Sequence, residues 1–254
     1  MLKVSWRAAR ILACGLALTS AAALAAPMPP GRPAELGRGG STPPAPPSPP
    51  LPPGAASPGP TATPVPPDAT CLAALRATGA TAEPAPQPKP DDGGCQVESP
   101  VRMTAVSLPG GKGSVALPDA PVVACRFAVP FAAWLRQIAA PVLGSSRAVP
   151  LKAVRTGPGF QCRARNRQAG EKPSAHGTGI AVDIAGFEFA EGPALAIKPD
   201  GHSEADAAAL AAVRQAGCGW FTTVLGPGSD PFHSDHLHLD ILLHGSSDRY
   251  RICQ

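Results

Sequence analysis

The sequence predicts an α+β domain, a small antiparallel sheet with flanking helices stapled by disulfides, and three observations carry that expectation. Short segments with strand-like alternation outnumber the crossover helices that a doubly wound parallel sheet requires. Six of the seven cysteines, Cys71, Cys95, Cys125, Cys162, Cys218 and Cys253, fall in the same C-terminal part of the chain. In an exported protein an even set of this kind reads as three disulfides, and no C-x-x-C pair favours a thiolate metal cluster. Finally, 17 of the 34 prolines fall within residues 27–68, which leaves about 186 residues for one medium domain.

The elements follow in chain order. Residues 1–10 are basic, residues 11–24 are apolar, and Ala23 and Ala25 supply small residues at the positions a signal peptidase reads. Residues 1–25 are therefore expected to be a signal peptide, the apolar segment being short for a retained anchor. Cys14 has no apolar region before it and is not read as a lipidation site. Residues 26–70 form a Pro-rich disordered spacer, because proline lacks the amide donor and fixes φ, leaving extended polyproline II. The domain is then residues 71–254. A short helix is expected at 72–77 and a second Pro-rich loop at 80–94. Residues 101–107 and 113–117, split by Pro109, Gly110 and Gly111, make a hairpin. Phe127, Phe131, Trp134, Leu135 and Ile138 recur at helical spacing and place a helix over 124–140. Strands are expected at 149–154, 179–187, 221–225 and 236–243, and an amphipathic helix at 204–216 with Ser203 as N-cap.

Charge narrows the function. The net charge of +4 includes Lys3, Arg7 and Arg10 of the leader, so the rest carries 19 basic against 18 acidic residues. A near-neutral body gives no electrostatic footprint for nucleic acid. Beyond the leader no unbroken apolar run reaches the roughly 18 residues that span a bilayer, so no membrane association is expected after signal cleavage. The expectation is a monomer in the periplasm or secreted to the cell envelope, held off its tether by the spacer.

The histidines are the most informative residues, four of six lying between positions 233 and 244. From His236 onward polar and apolar residues alternate. On a strand this puts His236, His238 and Asp240 on one face and Leu237, Leu239 and Ile241 on the other. Three polar groups on a half-buried strand need partners, and a metal supplies one as economically as solvent does. A second group is Ser174, His176, Gly179, Ala181 and Asp183, with Asp183 beside small residues on an otherwise apolar run. His176, Asp183 and one histidine of the 236–238 strand would give N, O and N ligands with a fourth position open to water, the pattern of a catalytic zinc. Asp240 reads either as a partner to a ligand histidine or as an arginine's counter-ion. His202 and His244 belong to no motif and read as surface residues.

The pattern Ser174-x-His176-x-x-Gly179-x-Ala181-x-Asp183, followed by Asp235-x-x-His238, resembles the zinc D-Ala-D-Ala metallopeptidases, which group with lysostaphin and the hedgehog signalling domain. The segment from Cys162 to Asn166, the run HSDHLHLD from His233, and the run from Tyr250 to Gln254 resemble the bacterial extensin-like C-terminal domain family, a branch of that group. This resemblance implies Zn²⁺ held by His176, Asp183 and His238. In the carboxypeptidases and dipeptidases an acid three residues before the last ligand acts as base, which matches Asp235. In the penicillin-insensitive murein endopeptidases histidines five and two before it act instead, matching His233 and His236. The reading assigns Asp235 as base and His236 as transition-state stabiliser, although Asp235 is one methylene shorter than the glutamate usual at that position. Arg163 is the resemblance's candidate for a substrate carboxylate or the oxyanion, with Arg165 as its competitor and Ser174 either orienting His176 or binding substrate. The implied activity is hydrolysis of peptidoglycan stem or cross-link peptides. A zinc-stabilised wall-binding or signalling domain without turnover is the alternative.

Overall fold

The computed structural model describes residues 68–88, 95–168, 170–198, 200–246 and 249–254. The expected signal peptide, residues 26–67 of the spacer and residues 89–94 of the second loop lie outside the described residues. Helix α1 (Ala69–Ala77) begins two residues before the expected domain start, with Asp68 capping it through the amide of Thr70.

The domain is α+β, as expected, but the sheet is neither small nor purely antiparallel. Among the described residues ten strands join in one sheet: β1 (Ala80–Pro84), β2 (Pro100–Ser107), β3 (Ser114–Ala116), β4 (Val122–Ala124), β5 (Leu151–Thr156), β6 (Ala181–Phe189), β7 (Leu195–Ala196), β8 (Thr223–Leu225), β9 (Leu237–Asp240) and β10 (Ile252–Cys253). The main path runs β1-β2-β3-β5-β6-β9-β8-β10, with β4 on β2 and β7 on β6. The pairs β3–β5 and β8–β10 are parallel, the others antiparallel. Strand β1 occupies what the sequence suggests is loop. It is an edge strand of small residues with little alternation, paired only to β2, and its Pro84 is tolerated where the ladder ends.

The helix expected over 124–140 runs further. Helix α2 (Cys125–Trp134) continues through a π turn (Leu135–Ala139) into α3 (Ala140–Arg147). Pro141, which has no amide hydrogen, falls in the first turn after that wider turn, so it does not stop the helix. By length and composition Cys125–Arg147 passes for a membrane span, but here it is the core helix. Phe127, Phe131, Trp134, Leu135 and Leu143 are fully buried. The aromatic rings stack at 5.8 Å (Phe127–Phe131) and 6.2 Å (Phe131–Trp134), and Phe221 meets Trp134 edge-on at 5.7 Å. Each such burial is worth about 1.5–3 kcal/mol, which makes this cluster the mainstay of the helical layer. Helix α4 (Glu204–Gly217) has the expected cap, the Ser203 hydroxyl accepting from the Asp206 amide.

Three disulfides close the fold, pairing Cys71 with Cys125, Cys95 with Cys162, and Cys218 with Cys253. They join α1 to α2, fix the segment that follows Cys162, and hold β10 to the end of α4.

Candidate metal centre

The centre of the sheet places the site. Strands β6 and β9 pair antiparallel with Asp183 opposite His238 and Ala181 opposite Asp240. Cross-strand partners share a face, so one register fixes a carboxylate beside an imidazole. Strand β9 is shorter than expected because Asp240 turns the chain, its Oδ1 accepting from the Leu242 amide at 2.9 Å.

His176 arrives from a 3₁₀ turn, Ala175–Thr178, just before β6. The Ser174 hydroxyl caps the turn by accepting from the His176 amide at 3.4 Å, and Ser174 is itself buried. Gly179 ends it at φ +67°, where an added Cβ would sit 2.7 Å from Val97 Cγ1 and 2.9 Å from the Ala124 amide nitrogen. No other residue fits there without displacing the backbone of β4.

Three donor atoms converge. His176 Nε2 lies 3.2 Å from Asp183 Oδ1 and 3.3 Å from His238 Nδ1, and the latter two are 2.8 Å apart. A tetrahedral ion with bonds of about 2.0–2.1 Å holds its ligands about 3.3 Å from one another, so the triangle needs little opening to fit zinc. The tautomers agree with this use. His176 Nδ1 donates to the Gly159 carbonyl at 2.8 Å, and His238 Nε2 donates to Asp240 Oδ2 at 3.0 Å, which turns the remaining nitrogen of each ring to the common point. Gly159 reaches this position only as glycine, at φ +77° with its missing Cβ 2.6 Å from the Val122 carbonyl oxygen.

Without a metal, these groups share protons. Burial would push Asp183 up, but the bonds from His176 and His238 outweigh it and hold the carboxyl well below the usual range. Burial would likewise lower His238, yet its bonds to Asp183 and Asp240 raise it to about 9. Asp240 is held low against burial by the same pairing. The metal-free site therefore keeps a proton on His238 near neutrality, at the place a dication would take.

Two further histidines line the same cleft, about 620 Å³ in volume, and each is anchored by a carboxylate. His233 Nδ1 meets both oxygens of Asp230 at 2.8 Å, and His236 Nδ1 meets Asp235 Oδ1 at 3.0 Å. His236 Nε2 then lies 3.6 Å from Asp183 Oδ1, and the His233 ring is 5.2 Å from that of His236 and 5.5 Å from that of His238. Burial, with repulsion from His238 and His236, lowers the His233 pKa despite Asp230.

The residues singled out in the sequence divide accordingly. His176, Asp183, His238, His233, His236, Asp240, Ser174, Arg163 and Arg165 all line the cleft. Asp235 does not: its side chain is 68% exposed and its carboxylate serves His236. Arg163 is half-buried, accepted by Gln161 Oε1 at 2.9 Å and lying 3.9 Å from Asp183 Oδ2, while Arg165 is exposed at the rim. His244 is not a free surface residue as expected. It is half-buried in the cleft wall, bonded through Nε2 to the Thr223 hydroxyl at 2.7 Å. His202 is also partly buried and bonds the Ala196 carbonyl at 2.9 Å. Sequence reasoning missed Asp230 and the Gly159 carbonyl. Asp230 has a signal, since an Asp-Pro pair three residues before a histidine makes a capped turn, whereas nothing local marks Gly159.

Fold and site together define a disulfide-stapled α+β domain whose sheet floor carries a buried His–Asp–His group able to bind a metal ion. The sequence model described as "Extensin-like protein C-terminus" matches residues 69–254. The chain belongs to that extensin-like C-terminal family. No curated protein and no solved structure matches the chain.

Proposed function

We propose that the domain is an exported zinc metallopeptidase that hydrolyses peptidoglycan stem or cross-link peptides, within the metallopeptidase group that the sequence motifs resemble. One observation carries the reading: all four histidines of the floor are anchored through one nitrogen, to Gly159, Asp230, Asp235 and Asp240, and present the other to a single cleft. A merely structural metal needs its ligands closed by protein. Here three ligands face an open cleft with two more oriented histidines beside them, which supports a catalytic site.

When bound, zinc polarises the scissile carbonyl and brings the pKa of water toward about 7. The chain supplies the rest. His233, lowered in pKa, takes up a proton at Nε2 while its Nδ1–H stays on Asp230, which holds the ring and stabilises the imidazolium formed. His236, steered by Asp235, donates toward the developing oxyanion. The proton-transfer role passes from Asp235, favoured by the motif, to His233, because Asp235 faces solvent. Arg163 binds a substrate carboxylate next to the reacting carbonyl.

The test is incubation of the disulfide-formed, zinc-loaded protein with purified peptidoglycan, identifying muropeptides by mass spectrometry, with Asp183→Ala as control. New products that depend on Asp183 are expected, and their masses name the bond cut. Tight zinc binding without any new product would replace this reading with a zinc-stabilised wall-binding domain.

A further inference from the structure

One wall of the cleft has no part in the metal centre or in the proton transfers. After Cys162 the chain brings Arg163, Arg165 and Arg167 to the cleft, the first half-buried near Asp183 and the other two exposed at the rim. The acidic residues lining the cleft, Asp183, Asp230 and Asp240, are each bonded to a histidine. Among the described residues, Arg165 and Arg167 have no carboxylate within ion-pair distance, and Arg167 lies near enough to Arg163 to disfavour its charge. Three like charges share one wall, and among the described residues the outer two form no ion pair there.

The segment is held rigidly in this arrangement. The Cys95–Cys162 disulfide ties its start. Ala164 bridges to Pro173, the Arg165 amide donates to Lys172 at 2.9 Å, and the Ser174 amide donates to the Arg163 carbonyl at 3.0 Å. Asn166 and Arg167 are nonetheless left-handed, at φ +53° and +56°. Glycine would take that backbone without strain, and a long side chain at such a position points to a use for the side chain. Arginine suits an anion because its charge is permanent and its fork matches carboxylate oxygens.

We propose that Arg165 and Arg167 form an outer anion subsite that selects peptides bearing a second carboxylate, away from the bond placed over the metal centre. What is cut rests on the peptidase reading; what is bound does not. The ligand is thus a peptide with at least two carboxylates, one reaching Arg163 at the floor and one the rim pair. A phosphodiester polymer offers the same fixed anion, and the experiment separates the two sources.

The experiment is calorimetry on the zinc-loaded, disulfide-formed protein, titrated with a short acidic peptide, the same peptide with its side-chain carboxylates amidated, and poly(glycerol phosphate). The acidic peptide is expected to bind about three- to tenfold more tightly than its amidated form, the scale of two partly exposed ion pairs, and this margin shrinks as salt rises. Arg165→Gln with Arg167→Gln removes the margin and leaves the amidated peptide's affinity, the zinc content and the melting temperature unchanged. Arg165→Lys with Arg167→Lys restores part of it. The proposal is overturned if the glutamine variant keeps the margin, if it weakens both peptides equally, or if only the phosphate polymer binds. Turnover is scored separately. Discrimination without cleavage keeps the subsite and removes the peptidase reading, while cleavage without discrimination does the reverse.

Discussion

Asp240→Asn tests the metal centre without touching a ligand. The Asp240 carboxylate is fixed on both oxygens, Oδ1 accepting from the Leu242 amide at 2.9 Å and the Thr222 hydroxyl at 3.4 Å, and Oδ2 from His238 Nε2 at 3.0 Å. An asparagine must keep its oxygen on the Leu242 N–H, because an amide NH₂ there would face another donor. Its nitrogen then points at His238 Nε2 and donates. The ring proton is driven to Nδ1, the nitrogen that lies 2.8 Å from Asp183 and 3.3 Å from His176 Nε2. A protonated nitrogen is no ligand. Loss of an outer partner of this kind weakens metal binding about 10–100-fold, or about 1.4–2.8 kcal/mol at roughly 1.4 kcal/mol per decade. Zinc affinity measured by competition with a chromophoric chelator should fall by that factor. An NMR titration of the metal-free variant should find His238 below the value of about 9 that two carboxylates maintain. Wild-type zinc affinity in a variant that melts normally would refute the tautomer argument and the ligand set with it.

Four other outcomes are expected. His233→Ala should lower turnover about 10²–10⁴-fold while Asp235→Asn stays within about tenfold, since the proposed mechanism takes His233 as base; the reverse ranking in a peptide-release assay restores Asp235. The stability of the metal-free protein should depend on pH in a definite sense. His238 is raised from 6.5 to about 9, so its contribution is complete below 6.5 and lost as pH rises through 9. Asp183 and Asp240 are lowered from 3.8, so theirs is present above that value and lost on acidification. His233 is lowered from 6.5, so its contribution is lost as pH falls below that value. Urea unfolding should therefore show a maximum near pH 6.5, and excess zinc should remove the alkaline decline; a flat profile contradicts the shared-proton account. Gly179→Ala should cost about 1–3 kcal/mol from its left-handed backbone, more if β4 must shift, and a wild-type melting curve argues against the turn described. Cys95→Ser with Cys162→Ser opens a separation of 67 residues, and chain entropy sets the loss at about 4 kcal/mol at most by denaturant titration; an unchanged midpoint would mean the bond is not formed in solution.

Much of this architecture is legible in the sequence where local physics dominates. Helix α4 is set by the alanine-rich amphipathic run and the Ser203 hydroxyl, both local. The hairpin of β2 and β3 follows from its Gly-rich turn. The parts that are not legible depend on distant chain. Strand β1 has the composition of a loop and becomes a strand because β2 offers an open edge. The reach of the long helix past Ala140 depends on a π turn that no spacing rule contains. At the site the same division holds. His176, Asp183 and His238 announce themselves by residue type and spacing, whereas the Gly159 carbonyl that orients His176 comes from a loop 17 residues away and carries no side-chain signal.

The placement of Asp235 shows how far local geometry reaches when it is followed through. Residues 238 and 240 share the site face because alternate residues on β9 point the same way. Residues 234–236 form the bend before that strand, so its parity does not set the direction of Asp235 or His236. Within the bend the Asp235 side chain is turned to solvent, and its carboxylate meets the ring of its own neighbour, His236, whose Nε2 comes within 3.6 Å of Asp183 Oδ1. His233 lies earlier, in a 3₁₀ turn capped by Asp230, which anchors its ring in the cleft wall through Nδ1. The motif alone leaves both candidates for the base open, and the anchoring of His233 by Asp230 against the exposure of Asp235 distinguishes them.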